Sequence, residues 1–199
     1  KWIVEHMPDY RITWSGPHLM ASHLINDDGK GLTFGAFFGL LTISFLLIIV
    51  FGSPKIGLLS IFPNIFPAVF GMGIWGFLNG EIDIGVTMAA GVTIGIIVDD
   101  TVHFLVKYTK ARSEFGNSNI EAVKYALQQV GPALIFTTIV LVTGFVSIAT
   151  LTNLTFNSHM GLMTAMVLTF ALLMTLISLP VLLMNFDKKD PSITIAPKT

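Results

Sequence analysis

Five runs of about twenty predominantly apolar residues dominate this chain, and that length is what an α-helix needs to cross the hydrocarbon core of a bilayer. They cover about 32–51, 56–78, 84–106, 133–150 and 160–184. Runs of this length and apolarity are expected to be helical spans. Pro63 and Pro67 interrupt the second run, and Pro180 lies near the end of the fifth. The remainder of the 199 residues cannot outweigh this signal. With 53% hydrophobic and 12% charged residues, the chain departs from soluble domains, in which about a quarter of residues are charged. The expectation is an all-α membrane protein with five transmembrane helices.

The placement of basic residues orients the spans. Lys55, then Lys107, Lys110, Arg112 and Lys124, then Lys188, Lys189 and Lys198 fall on one side if the spans alternate. The turn at 79–83 and the loop at 151–159 hold no Lys or Arg. By the positive-inside rule the basic side is cytoplasmic, which puts the amino-terminal segment outside and the tail, residues 187–199, inside.

Residues 1–31 have another character. Residues 10–14 alternate as a short strand would, Gly16-Pro17 reads as a turn, and 18–26 as a short helix leading to the first span. Thirty residues bury no core alone. They are expected to be the trailing edge of an extracytoplasmic domain. Lys1 is neither an initiator methionine nor the start of a basic-then-apolar signal segment, which adds the expectation of a piece of a longer protein. Between the third and fourth spans, Ser118 and Glu121 make a capping box, and Ile120, Val123, Leu127 and Val130 follow at spacings of three and four. The spacing predicts an amphipathic helix over 118–130, either lying on the inner membrane surface or serving as a plain cytoplasmic connector.

The chemistry of the chain concentrates in the third span, where Asp99 and Asp100 stand side by side. One carboxylate near the middle of a membrane costs about 2.5–3.5 kcal/mol on insertion scales, so an adjacent pair must face protein, water or an ion. Gly91, Gly95, Asp99 and His103 recur every four residues and form one slowly turning stripe, with Asp100 about 60° round from His103. Glycines at such spacing allow close helix packing, and a lone histidine near a span's end is commonly interfacial. An adjacent Asp pair is different. Two carboxylates this close cannot both ionise cheaply in a low dielectric, so they are expected to share a proton and titrate in coupled steps. Moving one charge across the membrane draws on about 2.3 kcal/mol for each 100 mV, enough to bias a conformational cycle.

The fourth span adds Thr137, Thr138 and Thr143 beside Gly144. Thr137 and Gly144 share a helix face and could bring a hydroxyl to a carboxylate on a packed neighbour. Alternatively, as is usual in membrane helices, the hydroxyls bond back to their own backbone. The absence of cysteine from the sequence excludes disulfides, thiolate metal sites and cysteine nucleophiles. There is no nucleophile elbow, metal-ligand cluster or phosphate loop, so no enzymatic activity, cofactor, metal or nucleic-acid partner is expected.

The run Gly95-Ile-Ile-Val-Asp-Asp-Thr-Val-His-Phe104, followed by Lys107-Tyr-Thr-Lys-Ala-Arg112, resembles the charged-helix motif of the resistance-nodulation-division (RND) superfamily. The likeness is to its hydrophobe/amphiphile and lipid exporter branch (MMPL-like). Gly52-Ser-Pro-Lys55 is similar to the turn after the first helix of the family's five-helix block, and Pro63 and Pro67 to its proline-bearing second helix. Glu121-Ala122 with Gly131-Pro132 resembles the approach to the fourth helix, Phe136-Thr-Thr138 with Gly144-Phe145 the relay-threonine helix, and Leu179-Pro180 the end of the last.

The resemblance implies five transmembrane helices of one RND half, preceded by the end of an α+β porter region. It also implies a bacterial inner-membrane location and a proton-motive-force-driven export of lipids or other hydrophobic molecules. Asp99 and Asp100 inherit the relay role by position, with Thr137 in support and Thr138 and His103 as further relay candidates. The implied partners are the other half with its porter domain, membrane lipid, the hydrophobic substrate, and further copies of the chain in a homo-oligomer. No Lys lies within the spans, so the cationic partner of drug-pump members has no counterpart here. Two other readings stand beside this one. A sterol-sensing-type module would bind lipid between helices without transport. A SecD/SecF-type export accessory is disfavoured because the run after its aspartate is not matched.

Overall fold

The computed structural model describes residues 31, 34–35, 38–39, 41–78, 82–114 and 118–186. The strand expected at 10–14, the helix at 18–26 and the tail at 187–199 lie outside the described residues. Among the described residues all regular structure is helical. Among these residues four helices are long and apolar enough to cross a membrane, and the shorter apolar helix α1, Leu41–Phe51, falls in the first expected span. This is an all-α membrane protein.

Local chemistry sets the helix ends. Gly52 takes φ 61, the left-handed conformation that ends a helix at little cost to glycine, and Pro54 then opens α2, Pro54–Leu78, at a position where its missing N–H is no loss. Pro63 and Pro67 do not interrupt α2. Both are buried, and packing against neighbouring helices holds the helix continuous despite two absent backbone bonds. The third helix, α3, spans Ile84–Glu114 and carries Lys107, Lys110 and Arg112 beyond the expected span end. Asp83 caps it, its Oδ1 accepting from the Val86 N–H at 2.9 Å.

Helix α4, Asn119–Leu151, begins in the expected capping box. The Ser118 Oγ accepts from the Glu121 N–H, and the Glu121 carboxylate accepts from the Ser118 N–H at 3.0 Å. It then runs without a break through Gly131-Pro132, so the segment 118–130 and the fourth span are one 33-residue helix. At about 1.5 Å per residue it reaches roughly 50 Å, longer than a hydrocarbon core of about 30 Å. The apolar side of its first turns is not free for a membrane surface. Ala122, Val123 and Ala126 are buried in one core with Phe104, Leu105, Tyr108 and Ala111 of α3, while Ile120 is exposed.

The fifth span is α5, Thr155–Leu173, continued through a π turn, Met174–Ser178, into α6, Leu179–Phe186. The wider turn, in which the Leu179 N–H reaches the Met174 carbonyl, lies directly before Pro180, which has no N–H to offer a tighter one.

Helix α5 is the hub, packed on α2, α3 and α4. A Cβ at Gly85 would collide with the Phe156 carbonyl, and one at Gly161 would come 2.6 Å from the Phe145 carbonyl, so these glycines let α3 and α4 approach α5 backbone to backbone. Two cores result. One gathers Leu47, Phe51, Ile56, Phe104, Tyr108, Ala122 and Leu183 at the end where Lys55, Lys110 and Lys124 lie. The other gathers Trp75, Val86, Ala89, Ile97, Met163 and Val167 towards the opposite end.

Candidate functional site

The buried and exposed positions of α3 divide it lengthwise. Val86, Ala89, Thr93, Ile97, Thr101, Phe104, Leu105 and Tyr108 point into the helix bundle. Gly91, Gly95, Asp99 and His103 lie on the opposite, exposed side, with Met88, Val92 and Val106 beside them. The predicted stripe therefore exists, and it faces away from the other described helices.

On that stripe His103 Nε2 stands 3.6 Å from Asp99 Oδ1, one helical turn away, with side chains 65% and 70% exposed. The distance is too long for a hydrogen bond but short enough for charge attraction when the histidine is protonated. Asp100 is half-buried at the edge of the stripe, between the face that packs and the face that does not. At this level of the helix two carboxylates and an imidazole can exchange protons with whatever covers the exposed face. Among the described residues the core side brings no opposite charge to this level: α2 carries only Lys55 at its start, α4 carries Lys124 in its first turns, and α5 only His159 near its own start.

The other predicted site residues are placed less favourably for a relay within this chain. Thr137 is exposed on α4, and its hydroxyl donates to its own helix, to the Ala133 and Leu134 carbonyls at 3.0 and 3.1 Å. Thr143 does the same to Ile139 at 2.7 Å. Thr138 is buried. The glycines expected to pack helices, Gly91, Gly95 and Gly144, have open space where a Cβ would stand. Close approach within the chain is made instead at Gly57, Gly71, Gly85 and Gly161. Among the described residues no three His, Asp or Glu side chains come together as metal ligands.

Sequence reasoning missed two polar contacts between helices. Thr101, the residue after Asp100, donates to Asn64 Oδ1 of α2 at 2.7 Å, with both side chains buried. Such interhelical bonds in membranes contribute about 0.6 kcal/mol on average. At the other end His159 Nδ1 is 2.6 Å from Asp83 Oδ2, and the His159 ring meets Trp75 edge-on at 5.1 Å. That cluster ties the starts of α3 and α5 to the end of α2. A lone amide inside an apolar, proline-bearing span was a visible signal for Asn64. For Asp83 and His159, which stand 76 residues apart, no sequence signal pairs them.

The sequence as a whole matches the model of the MMPL family over residues 2–192. The chain belongs to the MMPL family. No curated protein matches it. Family membership and the membrane-length helices together make this MMPL chain a multi-pass membrane protein of transporter type, as the motif around Asp99 and Asp100 implied. The match begins at residue 2 and so takes in the segment ahead of the first span.

Proposed function

We propose that this MMPL chain is the membrane part of a proton-driven exporter of lipids or other hydrophobic molecules, with Asp99 and Asp100 as its proton relay. The observation that carries the reading is the position of the pair on α3. Asp99 and His103 are on a face that the described helices leave open, and charge exposed at membrane depth must meet protein, water or an ion. The companion half of the transporter, on the same polypeptide or another, covers that face. Gly91 and Gly95 then allow it a close approach, and the outer side of α4, with Thr137 and Gly144, offers it a second open surface. A proton held at this seam favours one packing of the two halves, and its loss favours the other; the resulting motion moves substrate outward. The basic residues at the Lys55, Lys110 and Lys124 end support a cytoplasmic position for that end, in what the resemblance makes a bacterial inner membrane.

Export by the full transporter in proteoliposomes, driven by an imposed pH gradient, tests the proposal. Asp99→Asn and Asp100→Asn keep the size of the side chain and remove its ionisable proton. Each is expected to abolish gradient-driven export at unchanged membrane insertion. Wild-type export by both variants would contradict the relay and favour a sterol-sensing-type lipid-binding module.

A further inference from the structure

Thr93, Thr101 and Thr109 follow one another at intervals of eight residues on the buried face of α3. All three hydroxyls bond back to their own helix, Thr93 to Ala89 O at 2.8 Å, Thr101 to Ile97 O at 3.2 Å and Thr109 to Leu105 O at 2.9 Å. Among the described residues, Thr101 alone of the three also reaches a neighbouring helix, through its 2.7 Å bond to Asn64. A threonine in a membrane helix does not need such a partner, since its backbone satisfies it. The buried amide of Asn64 does, because an unpaired polar group in an apolar interior is costly.

The place of this bond matters on both helices. On α3 each residue turns the helix by about 100°, so fixing Thr101 towards α2 sets Asp100 about 100° away and Asp99 nearly opposite. That is the observed arrangement, with Thr101 fully buried, Asp100 half-buried and Asp99 exposed. On α2, Asn64 lies between Pro63 and Pro67, which withhold the N–H groups that would bond the Leu59 and Pro63 carbonyls. Those missing bonds make this the stretch of α2 that bends most easily.

We infer that Asn64 is a positioning residue for the Asp pair, acting through Thr101 to set the rotation of α3 and to link it to bending of α2. The inference rests on the relay reading above. A shift of α2 at its proline turn pulls on Thr101 and turns Asp99 and Asp100 relative to the partner face, and a change of charge at the pair is returned to α2 by the same bond. Among the described residues the titratable groups beside the pair are each other and His103; α2 and α5 bring no charged side chain to this level, and Glu121, Lys124 and Tyr125 of α4 lie in its first turns, which pack beside 104–111.

The test is the pH dependence of export by the full transporter in proteoliposomes, measured for Thr101→Val, Thr101→Ser, Asn64→Leu and the Val/Leu double variant. Thr101→Val keeps the shape of the side chain and removes its hydroxyl. Thr101→Val and Asn64→Leu are each expected to lower export several-fold and to displace the midpoint of the pH profile in the same direction. The double variant should be no worse than either single one. Thr101→Ser should restore the wild-type profile. Variants that lose thermal stability alone, with export per assembled transporter and pH midpoint unchanged, would overturn the inference. The Asp→Asn variants separate the two readings. If they abolish export while the Asn64 and Thr101 variants keep the wild-type profile, the positioning role alone fails; if they export normally, the relay fails and the positioning role with it.

Discussion

The two faces of α3 are built from similar apolar material and do different work. On the inner face, Phe104, Leu105 and Tyr108 are fully buried, and Thr93 and Thr109 turn their hydroxyls back to the backbone, so nothing there holds a charge. On the outer face, glycines leave open space and the polar groups are ionisable. In a soluble helix the ionisable face would simply be the wet one. In a bilayer the surroundings of the outer face are as apolar as the core, so charge placed there marks a contact that the described helices do not complete. The inner face makes the fold, and the outer face is where the proposed function resides.

The largest effect that would sharpen this contrast is on the inner face. Phe104→Ala empties a fully buried site between α3 and its neighbours and is expected to cost about 3–5 kcal/mol, read as a lower thermal midpoint and a poorer yield of folded protein in detergent. A midpoint close to wild type would mean that the inner face does not carry the fold. Glycine substitutions give the next effect. Gly85→Ala drives a methyl group into the Phe156 backbone and should destabilise by about 1–3 kcal/mol, whereas Gly95→Ala meets open space and should leave the stability of the isolated chain unchanged. The comparison breaks if the two variants lose equal stability, since Gly95 would then also pack within the chain.

This division explains what could be read from the sequence. Membrane-length helix over the second to fifth expected spans and the Ser118 capping box follow from local chemistry and are present among the described residues, as is the Gly52-Ser53-Pro54 turn that the resemblance implied. The stripe from Gly91 to His103 is likewise a matter of helical period. Which way it faces was not legible, because lipid and protein interior are equally apolar and hydrophobic periodicity cannot tell them apart. The same blindness hid the packing glycines: nothing local separates Gly85, held against Phe156, from Gly95, which touches nothing. The continuity of α4 through Gly131-Pro132 depends on tertiary support. Its first turns are fixed against α3 and α6, so the backbone bond lost at Pro132 does not end the helix. The Asn64 to Thr101 bond joins residues 37 apart and appears only when α2 and α3 are set side by side.

The most direct measurement is proton movement itself. Proteoliposomes holding the full transporter and an internal pH dye would report proton flux on addition of substrate, for Asp99→Asn on the outer face and Thr93→Val on the inner face. The account predicts that Asp99→Asn loses substrate-dependent proton flux while its thermal midpoint stays at the wild-type value, and that Thr93→Val, which removes only a hydroxyl bonded to its own backbone, keeps the flux. Wild-type proton flux in Asp99→Asn would contradict it.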